Sequence, residues 1–119
     1  MENKEFGKKL EERTKAFAIR IIKLSSNLPN TVEGKIIRNQ LTKAGTSIGA
    51  NYREANRSRS KADFRNKIRI CESEANETCY WLEIILDLKW IEIHELESIQ
   101  SESNALLAIF TSIGKNQKL

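Results

Sequence analysis

Apolar positions recur every three or four residues along nearly the whole chain. The first run is Leu10, Thr14, Phe17, Ile21, Leu24 and Leu28, the spacing of one helix face. Residues 27–30, with Pro29, end that helix. Asn30 is the expected N-cap of the next one, with Glu33 three residues on, as in a capping box. The second run is Ile37, Leu41, Ala44, Ile48, Tyr52 or Asn51, and Ala55. Gly45 and Gly49 lie inside it. Each costs about 1 kcal/mol against Ala in a helix interior. Two readings account for them: a close approach of two helices, which the small cluster Ala44, Gly45, Thr46 and Ser47 favours, or a kink.

Residues 56–60 are polar and predict a turn, with Ser60 capping the next helix and Asp63 at its third position. The third run is Phe64, Ile68, Cys71, Ala75, Thr78, Leu82 and Leu86, and it ends near 88–90 with no Gly or Pro to mark the stop. The fourth is Leu96, Ile99, Ser103, Leu106, Phe110 and Ile113, with Gly114 as a stop and a polar tail after it. No strand-like alternation, internal repeat or linker interrupts the series. The expectation is one all-α domain over residues 1–119. Its helices run from about 3–27, 31–56, 61–88 and 92–113 and form an antiparallel up-down-up-down four-helix bundle.

Helix three carries more apolar surface than one core face needs. With Phe64 at zero on a 100° wheel, the core positions fall within about 40°. Trp81, Ile85 and Leu88 fall roughly 60° to 120° to one side. Helix one adds Ala18 and Ile22 beside its main stripe. A wide stripe means either deeper burial or a subunit interface, and the aromatic Trp81 and Tyr80 favour the interface. Trp81, Ile85, Leu88 and Ile22 are therefore the expected interface residues of a homo-oligomer.

Composition changes this picture only through charge. Of 119 residues, 20 are basic and 16 acidic, a net charge of +4. That small excess hides two opposed blocks. Residues 35–69 hold ten basic and two acidic groups; residues 70–102 hold one basic and nine acidic. An antiparallel bundle gathers the basic block near the second turn and much of the acidic block at the opposite end. Five Gly, one Pro and two Cys exclude collagen-like, low-complexity and disulfide-stapled chains. Cys71 and Cys79, eight apart, would sit about 12 Å apart along one helix, too far to bridge. They are expected to be reduced and buried. The charged N-terminus has no apolar h-region, and no stretch approaches the roughly 20 residues of a membrane span. A cytoplasmic protein is the expectation.

The case for chemistry is thin. His94 is the single histidine, so no Ser-His-Asp or Cys-His set extends beyond it. Two distant Cys and one His do not make a zinc site. Glu74-x-x-Glu77 occurs without the Glu-x-x-His of a di-iron bundle, and Gly45-x-x-x-Gly49 lacks the lysine of a phosphate loop. No catalytic residue, metal or cofactor is expected, and Glu72, Glu74, Glu77 and Glu83 are expected as solvated flanks. The basic block is the stronger signal. Lys35, Lys43, Arg53 and Arg57 point away from the core face of helix two, and Arg57, Arg59, Lys61 and Arg65 cluster at the turn. Such a patch is the electrostatic footprint of nucleic-acid binding, RNA or DNA. The rival reading is a scaffold or adaptor that binds only protein.

Three strings carry a family likeness. QLTKAGTSIGANYREA at 40–55, SRSKADFRNK at 58–67 and EANETCYWLE at 74–83 resemble, in order and spacing, the four-helix-bundle 23S rRNA intervening-sequence protein family. The likeness runs from about residue 10 to 95. Many members have Pro where Gly49 stands. The resemblance implies a bundle of four antiparallel helices and a homopentameric barrel. The similar accessory variability protein of diversity-generating retroelements binds nucleic acid and a reverse transcriptase through a basic surface. Carried onto this chain, the implied nucleic-acid-binding residues are Arg53, Arg57, Arg59, Lys61, Arg65, Lys67 and Arg69. The strings around Asn51, Glu54, Glu74 and Glu77 are expected to hydrogen-bond across helices.

Overall fold

The computed structural model describes residues 4–116. Four helices follow one another: α1 (Lys4–Ser25), α2 (Val32–Ala55), α3 (Lys61–Leu88) and α4 (Ile93–Lys115). The body measures 45 × 24 × 20 Å, about one long helix by two helix diameters. The expected ends agree to within a turn. An α1 start at residue 3 lies outside the described residues, as do residues 117–119 of the polar tail.

Contacts between the helices fix their directions. Along α1 and α2, Thr14 meets Gly49 and Ile21 meets Gly45. Along α2 and α3, Glu54 pairs with Lys67 and the Ile48 carbonyl accepts from Cys71. Along α3 and α4, Glu72 meets Thr111 and Cys79 meets Ser103. In every pair one number rises as the other falls, so each neighbour is antiparallel. The helices form a ring in which α1 and α4 approach least closely. That seam is closed by side chains. Arg13 donates to Glu102 twice, Nε–Oε2 at 2.7 Å and Nη2–Oε1 at 2.8 Å, and Arg20 Nη2 donates to Ser98 Oγ at 2.8 Å.

Gly45 and Gly49 serve close approach. A Cβ on Gly45 would stand 2.8 Å from both Cγ atoms of Ile21, and one on Gly49 would stand 3.0 Å from Thr14 Oγ1. α2 runs through both glycines without a break. Thr14 faces this seam fully buried, its hydroxyl donating to the carbonyls of Leu10 and Glu11.

The caps are local chemistry. Ser60 caps α3 as expected, accepting from Asp63 N–H at 3.1 Å. The α2 cap is Thr31, not Asn30. Its Oγ1 accepts from Gly34 N–H at 3.0 Å, and at Gly34 any Cβ would collide with the Pro29 carbonyl. The unmarked end of α3 closes in a Schellman arrangement. Lys89 takes the left-handed conformation with φ 57°, and Trp90 N–H reaches back to the Ile85 carbonyl at 3.3 Å. α4 passes Gly114 and ends at Lys115.

The last α3 turn presents one of two neighbouring apolar residues to the core. Ile85 is fully buried and Leu86 only partly. Ile85 therefore belongs to the interior of its own chain, which corrects its placement at an interface.

Candidate nucleic-acid interface

An up-down-up-down ring brings the start of α1, the end of α2, the start of α3 and the end of α4 to one end of the body. The residues predicted from the basic block gather there. Arg53, Arg57, Arg59 and Lys61 are exposed; Arg65 and Lys67 are half-buried; Arg69 is exposed and lies about 12 Å up α3 from Lys61. Two of the seven are partly neutralised within the chain. Arg53 Nε stands 3.6 Å from Glu11 Oε1, and Lys67 Nζ stands 3.4 Å from Glu54 Oε1. Among the described residues, Arg57, Arg59, Lys61, Arg65 and Arg69 have no carboxylate within ion-pair distance.

The same end holds cations that the sequence reading passed over. Lys4 and Lys8, on the first turns of α1, line one cleft with Arg59 and Lys61. The cleft encloses about 640 Å³ between α1 and the α2–α3 turn. The topology was the available signal: an antiparallel bundle must place the α1 start beside the α2 end. Tyr52, one of two aromatics within the basic block, is fully buried and packs edge-on to Phe110 at 5.4 Å. It is a core residue and offers no stacking platform.

The acidic residues are more absorbed than expected. Glu72, Glu74 and Glu77 are half-buried, and Glu83 is exposed. Glu72 Oε2 accepts from Thr111 Oγ1 at 2.8 Å, and Glu77 Oε2 accepts from the Trp81 indole at 3.1 Å. Burial, then the neighbouring Glu77, push the Glu74 carboxyl above the ordinary range, against the opposing pull of Lys43 and Ser47. The hydrogen bond from Arg13 holds Glu102 below that range, and the same bond raises Arg13. Of the polar residues expected to bridge helices, Glu54 and Glu74 do so. Asn51 instead donates back along α2 to the Ser47 carbonyl at 2.9 Å.

The remaining expected interface residues split between diagonal helices. Ile22 is 50% exposed on α1, where Ile19 accompanies it at 45%; Leu88 is 48% exposed on α3, as is Tyr80 at 56%. Trp81 is partly buried against the core. Both cysteines are buried thiols. Among the described residues, no three His, Cys, Asp or Glu side chains converge. No helix there is long and apolar enough to cross a membrane.

A family model described as 23S rRNA-intervening sequence protein matches residues 8–112. Among solved structures, the chain is similar to a crystal structure of a protein with unknown function from the S23 ribosomal protein family of Bacteroides thetaiotaomicron. The two are 40% identical with a TM-score of 0.82, over 88% of this chain and 97% of that one. Among curated proteins, no sequence matches.

Proposed function

Because the chain belongs to the 23S rRNA-intervening sequence protein family, whose described structural relative has no known function, we propose its role from the site itself. It is a self-associating binding module, not an enzyme, and it acts in the cytoplasm. Its basic end takes the phosphates of RNA or DNA, alone or within a nucleoprotein partner such as a reverse transcriptase.

One observation carries the reading. Arg57, Arg59, Lys61, Arg65 and Arg69 lack a carboxylate partner among the described residues, and Lys4 and Lys8 join them at one end. Unpaired cations converging on one surface raise the local potential and attract polyanions. Ring assembly, with five copies as the resemblance implies, would multiply that surface. A cyclic interface needs two different patches on opposite sides of a subunit. Ile19 and Ile22 on α1, with Tyr80 and Leu88 on α3, supply exposed apolar residues on two helices diagonal to each other in the bundle.

Two experiments test this. Oligonucleotide binding is titrated at about 50 and about 200 mM salt; if six phosphates are contacted, affinity falls by about a thousandfold. Reversing Arg57, Arg59 and Arg65 together to Glu should abolish binding while the helical signal stays. Binding that ignores salt, or none, refutes the nucleic-acid reading and leaves a protein-only scaffold. Solution mass tests assembly: a monomer at micromolar concentration refutes it, and Ile22→Arg with Leu88→Arg should dissociate an oligomer without unfolding it.

A further inference from the structure

We infer that the cleft at the basic end receives an unpaired nucleobase, so that this surface selects single-stranded nucleic acid over duplex; the inference rests on the nucleic-acid reading above. Phosphate recognition alone accounts for the rim of the cleft but not for its interior. Lys4, Lys8, Arg59 and Lys61 line it and are exposed, whereas Gly7, Ala55 and Phe64 line it and are buried. The cleft is thus cationic at its mouth and apolar at its floor. Its volume of about 640 Å³ lies within the range of small-molecule sites, about 300–1,000 Å³.

That pairing of surfaces matches an amphipathic anion, and a nucleotide with its base unstacked is one. The rim cations would follow the backbone while the base leaves water against Phe64, as in sequence-tolerant single-strand binding. A duplex offers phosphates to the rim but keeps its bases stacked, so the floor goes unused. Ser58 adds a second observation. The residue lines the cleft, and its Oγ, shielded from solvent just behind that wall, has no hydrogen-bond partner in the protein. Buried hydroxyls are nearly always paired, and a base edge supplies both donors and acceptors. The nearby Asn56 amide is already engaged, donating to Glu11 at 2.9 Å.

The test measures fluorescence anisotropy of the full chain with three probes of about 12 nucleotides. They are a single strand, the same strand with abasic positions, and a blunt duplex. The abasic strand keeps the charge and loses the bases. The intact strand should bind the wild type about tenfold tighter than the abasic one. Ser58→Leu and Gly7→Met fill the cleft and should erase most of that difference, with duplex affinity held within about twofold because the charges remain. A Cβ at Gly7 meets nothing nearer than 3.5 Å, so that position accepts a side chain. Equal affinity for intact and abasic strands overturns the inference, and this comparison needs no variant. Full preference retained by folded Ser58→Leu also overturns it. If both strands and the duplex bind alike with steep salt dependence, the base site falls and the nucleic-acid reading stands. If no probe binds at low salt, both fall together.

Discussion

Replacing Gly45 by Ala should destabilise the protein, although Ala is the better helix former. The substitution places a methyl 2.8 Å from Ile21 Cγ1 and 2.8 Å from Cγ2, where carbon atoms normally rest about 3.5–4.0 Å apart. Ile21 is fully buried, and a β-branched side chain in a helix holds essentially one rotamer. Relief therefore requires α1 to move away from α2. Overpacking of this kind costs about 1–3 kcal/mol, and the gain in helix propensity offsets about 1 kcal/mol of it. The net loss is about 1 kcal/mol, a measurable part of a total near 5–15 kcal/mol. Gly114→Ala is the control, because its new Cβ would stand 3.8 Å from Ile68 in ordinary contact. It should stabilise by up to about 1 kcal/mol. Urea unfolding followed by circular dichroism, at one protomer concentration because association shifts apparent stability, gives both values. The cycle with Ile21→Ala isolates the contact. That variant alone costs about 2–5 kcal/mol, and in its background Gly45→Ala should turn neutral or stabilising. A Gly45→Ala protein at least as stable as the wild type, or a penalty unchanged in the Ile21→Ala background, refutes the close-approach argument.

Three further outcomes are expected. Thr31→Ala should cost about 1 kcal/mol through loss of the α2 cap while Asn30→Ala changes little; equal losses in urea midpoints would put the cap elsewhere. Lys89→Gly should stabilise by up to about 1 kcal/mol, since only Gly adopts φ 57° without strain, and a lowered midpoint would contradict the strain. The carboxyls Glu102 and Glu74 should tilt the pH profile in opposite senses. Glu102, held low by Arg13, adds stability above its unfolded pKa and loses it as pH falls through its folded value. Glu74, pushed up by burial and Glu77, adds stability only below its unfolded pKa and loses it as pH rises through its folded value. At neutral pH Glu102→Gln should therefore weaken the fold and Glu74→Gln strengthen it. Denaturation midpoints measured from pH about 3 to about 7 decide the matter, and same-direction shifts would sink it.

The helices were legible because each of them repeats its apolar face over about five turns or more, which sums weak preferences into one pattern. The Gly45 and Gly49 approach was legible as one of two readings, since small residues in a helix interior need a packing reason. Three particulars escaped. The Thr31 cap depends on Gly34 and the Pro29 carbonyl meeting in space. Ile85 and Leu86 stand three and four residues after the buried Leu82, so helix spacing alone does not choose between them, and the packing buries Ile85. Lys4 and Lys8 belong to the basic end only once four helices are assembled, because they lie about fifty residues from the rest along the chain.

The opposed charge blocks also change meaning in three dimensions. A basic block followed by an acidic one suggests a molecule with two complementary ends that could stack copies head to tail. Five of the nine acids, Glu83, Asp87, Glu92, Glu95 and Glu97, do gather at the opposite end, around the α3–α4 turn; the other four lie further along α3 and α4. Glu72, Glu74 and Glu77 lie along the middle of α3 and face Thr111, Lys43 with Ser47, and Trp81. Glu92 is taken up in capping α4, accepting from His94 and Glu95 N–H, and Glu102 is held by Arg13. Part of the negative charge is thus met within the chain, by side chains and helix-end N–H groups. Five cations of the basic end have no such partner among the described residues. The net charge of +4 therefore understates the field at that end.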